Sequence, residues 1–212
     1  MRVIDLTHKI SHDMPMYPGS PEPVIQRLFN VEKDGFAESE LKISSHSGTH
    51  IDAPCHMLSD GKELEDYKIE TFFGNALMID FTKTESLQIE ADDIIPFQER
   101  SEKVDFLVIR TGWSRLWGKA EYLLNFPCLT VEAAQILSEK GLRGIGIDTP
   151  SIDTIESETF PVHHVFFRQD MLIIENLTNL DSLSSCHFTF SCMPLRIEKA
   201  DASPVRAFAI EY

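Results

Sequence analysis

Between Ser45 and Met57 the sequence reads SHSGTHIDAPCHM, which sets His46, His50, Asp52 and His56 within eleven residues. Imidazole nitrogens and a carboxylate are the side-chain donors that divalent cations take. Two histidines four apart resemble the helical pair of zinc proteases, but Ser47 stands where that pattern needs Glu. Gly48 and Pro54 also disfavour a helix, and a helix would turn Asp52 nearly opposite to His50. An extended chain serves better, because all four residues carry even numbers and share one face. His50 and Asp52 would then lie roughly 6–7 Å apart at Cα, a fit for two ligands of one ion. His46 and His50 would lie about 13 Å apart if fully extended, so the chain is expected to bend, with Gly48 as the hinge. Pro54 should end regular pairing.

The donors include no thiolate, which favours zinc and leaves manganese or iron(II) compatible. Two histidines and one carboxylate leave coordination positions open, as catalysis requires. The alternative from another class is a metal-binding interaction module without catalysis.

The rest of the chain must position that segment. With 212 residues, 42% of them apolar, it can bury a core without staples, and one domain is expected. A net charge of −15 repels phosphate backbones and anionic lipid, which argues against nucleic-acid and membrane partners. Cys55, Cys128, Cys186 and Cys192 form no C-x-x-C pair, the N-terminus has no leader-like apolar stretch, and no apolar run reaches the roughly 20 residues of a span. A cytoplasmic protein with reduced cysteines is expected.

Strands are expected at RVIDLT, PVIQRLFNV and SELKISSHS, the last two as half-buried strands. Buried central strands are expected at NALMIDF, VDFLVIRTG, RGIGIDTP and MLIIENL, with two or three more after Cys186. Helices are expected at LTVEAAQILSEKG, capped by Thr130 and stopped by Gly141, at EADDIIPFQER around Pro96, and after Pro161. Strands outnumber interspersed helices, which predicts an α/β or α+β domain with a mixed sheet.

The run from His46 to His56 meets every fixed position of H-x-G-T-H-x-D-x-P-x-H. The chain thereby resembles the cyclase family of metal-dependent hydrolases, which includes bacterial kynurenine formamidases (arylformamidases) and isatin hydrolases. IDLTHKISHDMPMYPG, GIDTPSIDTIES and VHHVFFRQDMLIIENLTNL are similar to further blocks of that family. The resemblance implies His46, His50 and Asp52 as metal ligands and His56 as the proton-transfer residue. It implies His163 and Glu175 at a second metal position, with Asp52 and Glu175 bridging two ions, and it puts Tyr17 against the substrate. It implies one compact α/β domain over 1–212, a mixed sheet flanked by helices in the swivelling β/β/α arrangement, and a homodimer or larger oligomer. The implied reaction is hydrolysis of an N-formyl aromatic amine, as in tryptophan catabolism, or of a cyclic amide of isatin type. The formamidases carry Trp before the Pro-Gly of the N-terminal loop and Asp after it, whereas this chain reads Tyr17-Pro18-Gly19-Ser20.

His163 and His164 are adjacent and must point differently, so one of them reaches the site. Asp148 and Asp153 are candidates to orient a ligating histidine, although DTPSID is also a turn sequence. Ser151 lacks the G-x-S-x-G elbow of a nucleophile. Tyr17 and Phe73 could wall an aromatic substrate. His8, His12 and His187 fit no pattern and read as surface or satisfied-core residues.

Overall fold

The structure is a computed structural model that describes residues 1–84, 86–97 and 104–212. Four apolar runs make the centre of its sheet. These are β5 (Phe73–Asp80), β7 (Phe106–Arg110), β9 (Gly144–Ile147) and β10 (Leu172–Glu175), all parallel. Parallel strands are covered on both faces, which is why these runs are apolar at nearly every position. Alternate residues feed two core layers. Ala76, Met78, Phe106 and Val108 enter one, while Leu77, Ile79, Leu107 and Ile109 enter the other.

Antiparallel strands complete both sides. β4 (His50–Asp52) and β12 (Ala202–Pro204) follow β10, while β11 (His187–Ser191), β13 (Phe208–Glu211) and β1 (Arg2–Asp5) follow β5. The result is one mixed nine-stranded sheet with few helices, in the order β1-β13-β11-β5-β7-β9-β10-β4-β12.

Helices α3 (Val131–Ser138) and α4 (Pro161–Phe167) cover one face. The Thr130 hydroxyl accepts from Ala133 N at 3.2 Å and caps α3, whose Ala133, Ala134 and Leu137 turn inward. Pro161 opens α4, where its missing N–H costs nothing. The shorter α2 (Ala91–Ile94) is capped reciprocally by Glu90 and Asp93 and runs into a 3₁₀ turn at Ile95–Phe97. The remainder of the helix expected over 90–100 lies outside the described residues.

Two expectations differ from the structure. β2 (Val24–Phe29) and β3 (Glu38–Lys42) are not half-buried members of the main sheet. They pair with each other as a separate hairpin joined through α1 (Val31–Asp34), and β3 is exposed along its whole length. Alternation marks a two-sided strand but does not say which sheet receives it. The extended segment expected from His46 to His56 shrinks to three residues. Gly48 turns the chain at φ +67° before β4, and Pro54 starts a 3₁₀ turn, Pro54–His56, after it. The short parallel pair β6 (Gln88–Ile89) and β8 (Cys128–Leu129) carried no recognisable sequence pattern.

Candidate metal centre and cavity

The antiparallel register of β4 on β10 builds the floor of the site. It places His50 opposite Glu175, Ile51 opposite Ile174, and Asp52 opposite Ile173. Ile51 and Ile174 enter one core layer, so His50, Asp52 and Glu175 project on the other side, toward α4. Glu175 ends β10 at the carboxyl edge of the parallel strands, where open α/β sheets place their ligands.

The first turn of α4 delivers His163. Asp153 Oδ2 accepts from its Nδ1 at 2.6 Å and from its backbone N at 3.0 Å, while Oδ1 accepts from Val162 N at 3.0 Å. One carboxylate thus caps the helix and aims the imidazole, whose Nε2 lies 3.3 Å from Glu175 Oε1. Glu175 Oε1 is itself held by Ile152 N at 3.0 Å. Of the adjacent pair, His163 lines the cavity and His164 does not.

His50 Nδ1 donates to Gly48 O at 2.8 Å, which leaves Nε2 facing Asp52 Oδ1 at 3.3 Å and Glu175 Oε2 at 3.5 Å. His46 Nδ1 approaches Asp52 Oδ1 to 2.8 Å, and its Nε2 lies 2.9 Å from Asp201 Oδ2. Asp52 Oδ1 is buried and has no aligned hydrogen-bond donor, despite those two imidazole nitrogens nearby. Donor atoms of His46, His50 and Asp52 lie within 4.8 Å of one another, as do those of Asp52, His163 and Glu175. Asp52 belongs to both groups.

The electrostatics suit a cation. Burial pushes Asp52 up, but His50 and His46 outweigh it and hold the carboxyl well below the usual carboxylate range. Burial pushes His46 down, but Asp52 and Asp201 raise it to about 10. His163, also opposed by burial, is raised to about 9 by Asp153 and Glu175. Buried carboxylates in such numbers call for positive charge. A buried carboxylate oxygen without a donor, flanked by two imidazoles, on a side chain that also groups with His163 and Glu175, fits a divalent metal.

Above this floor lies a cavity of about 370 Å³. His56 lines it, with its ring centroid 4.1 Å from that of His46. Tyr17 lines it too, and burial, then Glu175 and Asp153, push its phenol up. Phe73 does not. It begins β5 with its side chain exposed, and the other apolar walls come from Phe160, Tyr122, Met57 and Leu123.

Asp148 orients no ligand histidine. It is buried one strand over and accepts from Thr111 N, Thr111 Oγ1 and Gly112 N at 2.7–2.8 Å, which ties the end of β7 to the end of β9. Burial raises its carboxyl and those bonds oppose the rise. Ser151 Oγ accepts from Asp153 N at 3.3 Å and serves the loop. His12 meets the carbonyls of Pro23 and Ile25, and His187 Nδ1 lies 3.4 Å from Cys186 Sγ. His8 stacks on Trp117 at 3.9 Å, and its buried Nε2 has no hydrogen-bond partner, so it is not a satisfied core histidine.

Two contributors were not visible in the sequence. Asp201 sits in KADASP with no motif around it, and only the fold brings it to His46 and His56. Tyr122 Oη donates to Asn176 Oδ1 at 2.7 Å, and Asn176 Nδ2 lies 3.5 Å from His50 Nδ1. That link joins the cavity wall to its floor.

The profile of the Cyclase family, described as "Putative cyclase", matches residues 4–154. The kynurenine formamidase of Bacillus anthracis is 35% identical over 206 residues, covering 96% of this chain and 95% of that protein. That of Bacillus cytotoxicus is 32% identical over 205 residues, with the same coverage. Among solved structures, an isatin hydrolase bound to the product analogue thioisatinate superposes with a TM-score of 0.87 at 26% identity, over 98% of this chain and 91% of that one. A potential metal-dependent hydrolase with cyclase activity gives a TM-score of 0.81 at 29% identity, over 98% and 96%. The chain belongs to the cyclase family. It is a metal-dependent hydrolase acting on carbon–nitrogen bonds other than peptide bonds, which sets aside a purely structural metal module.

Proposed function

We propose that the chain, acting as one domain over residues 1–212, removes the formyl group from an N-formyl aromatic amine of the N-formylkynurenine type. His46, His50 and Asp52 would hold one divalent cation, and Asp52, His163 and Glu175 a second. Zinc suits these donors best and manganese is compatible. When bound, such a cation supplies Lewis acidity toward a carbonyl and makes water acidic enough to serve as a nucleophile near neutral pH.

The chain's own residues do the rest. Tyr17, Phe160, Met57 and Leu123 receive an aryl ring and exclude water around it. The amide then lies over the carboxylate floor, beside His56. His56 takes the proton released by the attacking water and gives it to the leaving nitrogen, which departs as a neutral amine. Such a transfer contributes about 10²–10⁴-fold in rate.

The observation that carries this reading is the unpartnered, buried Oδ1 of Asp52 at the foot of an aromatic-walled cavity. A second reading, hydrolysis of a cyclic amide, is favoured by the likeness to an isatin hydrolase and by the Tyr17-Pro18-Gly19-Ser20 loop. Metal analysis followed by kinetics on N-formyl aryl amines and on cyclic amides tests both. Bound metal with turnover of the formyl amines is expected. Turnover confined to cyclic substrates moves the assignment to the second reading, and bound metal with no amide hydrolysis sinks both.

The hairpin β2–β3 leaves Val24, Leu28, Phe29, Phe36 and Leu41 exposed. An isolated two-stranded ribbon is marginal in water, so a homodimer or larger oligomer that covers it belongs to the proposal. No helix among the described residues is long and apolar enough to cross a membrane. Cys55, Cys128 and Cys192 carry free thiols, in keeping with work in the cytoplasm on a small-molecule substrate.

A further inference from the structure

We propose that Asp201 is a positioning residue for the proton transfer: its carboxylate fixes the ring of His56 through Nδ1 and so keeps Nε2 turned to the cavity. The inference rests on the role given to His56 above.

Asp201 Oδ2 lies 3.5 Å from His56 Nδ1 and 2.9 Å from His46 Nε2. One oxygen therefore addresses both rings, whose centroids are 4.1 Å apart. The placement is built by the sheet. β12 pairs with β4 so that Ala202 faces Asp52, and Ala53 N donates to Asp201 O at 2.8 Å just beyond that pair. On the other side Lys199 takes a left-handed turn at φ +53°, with its N–H on Glu65 Oε1 at 2.9 Å. The backbone of Asp201 is pinned beside the motif, while its side chain, 43% exposed, lies against the rings of His46 and His56, which line the cavity.

The chemistry requires such a partner. A neutral imidazole relays a proton only if one nitrogen is a base facing the reaction and the other carries its hydrogen elsewhere. A carboxylate at Nδ1 selects the tautomer with hydrogen on Nδ1 and leaves Nε2 as the acceptor. The step balances as amide hydrolysis. The C–O bond forms, the C–N bond breaks, and one proton passes from water through Nε2 to the leaving nitrogen. Asp201 neither gains nor loses a proton.

A double-mutant cycle on the metal-loaded enzyme tests this. Asp201→Ala should lower kcat by about 10–100-fold, the usual scale for an orienting partner, with KM little changed and metal stoichiometry kept. In the His56→Ala background the same substitution should lower kcat no further. Asp201→Asn keeps the shape, covers the case in which the alanine variant fails to fold, and should lose kcat at least as far, because an amide can also settle the wrong tautomer. Asp201→Glu should restore part of the loss. An undiminished effect in the His56→Ala background, or loss of metal from Asp201→Ala or Asp201→Asn, overturns the proposal and leaves Asp201 as a support for His46 alone. Wild-type turnover by His56→Ala itself would instead sink the role of His56 from which the proposal starts.

Discussion

The site has two halves of different construction. His50, Asp52, His163, Glu175 and Asp153 are each no more than 5% exposed, and a strand register and a helix cap fix them. The side chains of His46, His56 and Asp201 are 20%, 28% and 43% exposed, and turns at the sheet's edge carry them. The buried half can hold charge away from water at fixed geometry. The rim half can exchange protons with solvent and substrate. Cation affinity should therefore respond to the buried half together with His46, and turnover at full metal occupancy mainly to His56 and Asp201.

The sharpest way to break that contrast is Asp52→Ala. It removes the carboxylate common to both donor groups, so activity should fall to the metal-free background and elemental analysis should show metal lost from both positions. A variant that kept its full metal complement would mean that Asp52 is no ligand. Next in size is His56→Ala, where a kcat loss of about 10²–10⁴-fold is expected with metal retained. If metal left together with activity, rim and floor would not be separable. Asp153→Asn should cost about 10–100-fold in metal affinity, measured by chelator competition, because it releases the aim of His163.

The smallest expected effect concerns His8, whose backbone N–H holds Thr49 Oγ1 at 2.9 Å behind the buried half. Burial depresses His8 from 6.5 to about 4. A depressed folded value means that protonation favours the unfolded chain. The stabilisation from the neutral ring is therefore complete above about pH 6.5 and is lost as pH falls toward 4. His8→Phe should flatten Tm against pH in that window, by about 2–4 °C for each kcal/mol of linkage in a chain of this length. Trp117 fluorescence, which the stacked ring should quench on protonation, follows the same titration. Parallel melting curves for the two proteins would remove His8 from the account.

The buried half was the more legible in the sequence. Parity placed His50 and Asp52 on one face, and the apolar run ending at Glu175 marked a strand tip, because sheet geometry has a period that sequence can show. The choice of His163 over His164 came from resemblance to a family, and the α4 cap by Asp153 gives the physical reason for it. The rim was less legible. Spacing showed that the chain must bend at Gly48, but not that His56 would sit in a 3₁₀ turn. Asp201 has no local signature, since a long-range strand pairing brings it there. The exposed hairpin was misread because alternation records two faces without naming what covers either.

The pairing of β12 with β4 also bears on how the protein is made. His46 and Asp201 stand 155 residues apart, and β12, the edge strand beside β4, is contributed only late in the chain. A ribosome therefore releases the histidine segment long before the aspartate that steadies it. Contacts of such separation form slowly, after their loop entropy has been overcome. A growing chain should therefore reach its full turnover only after synthesis has passed residue 201.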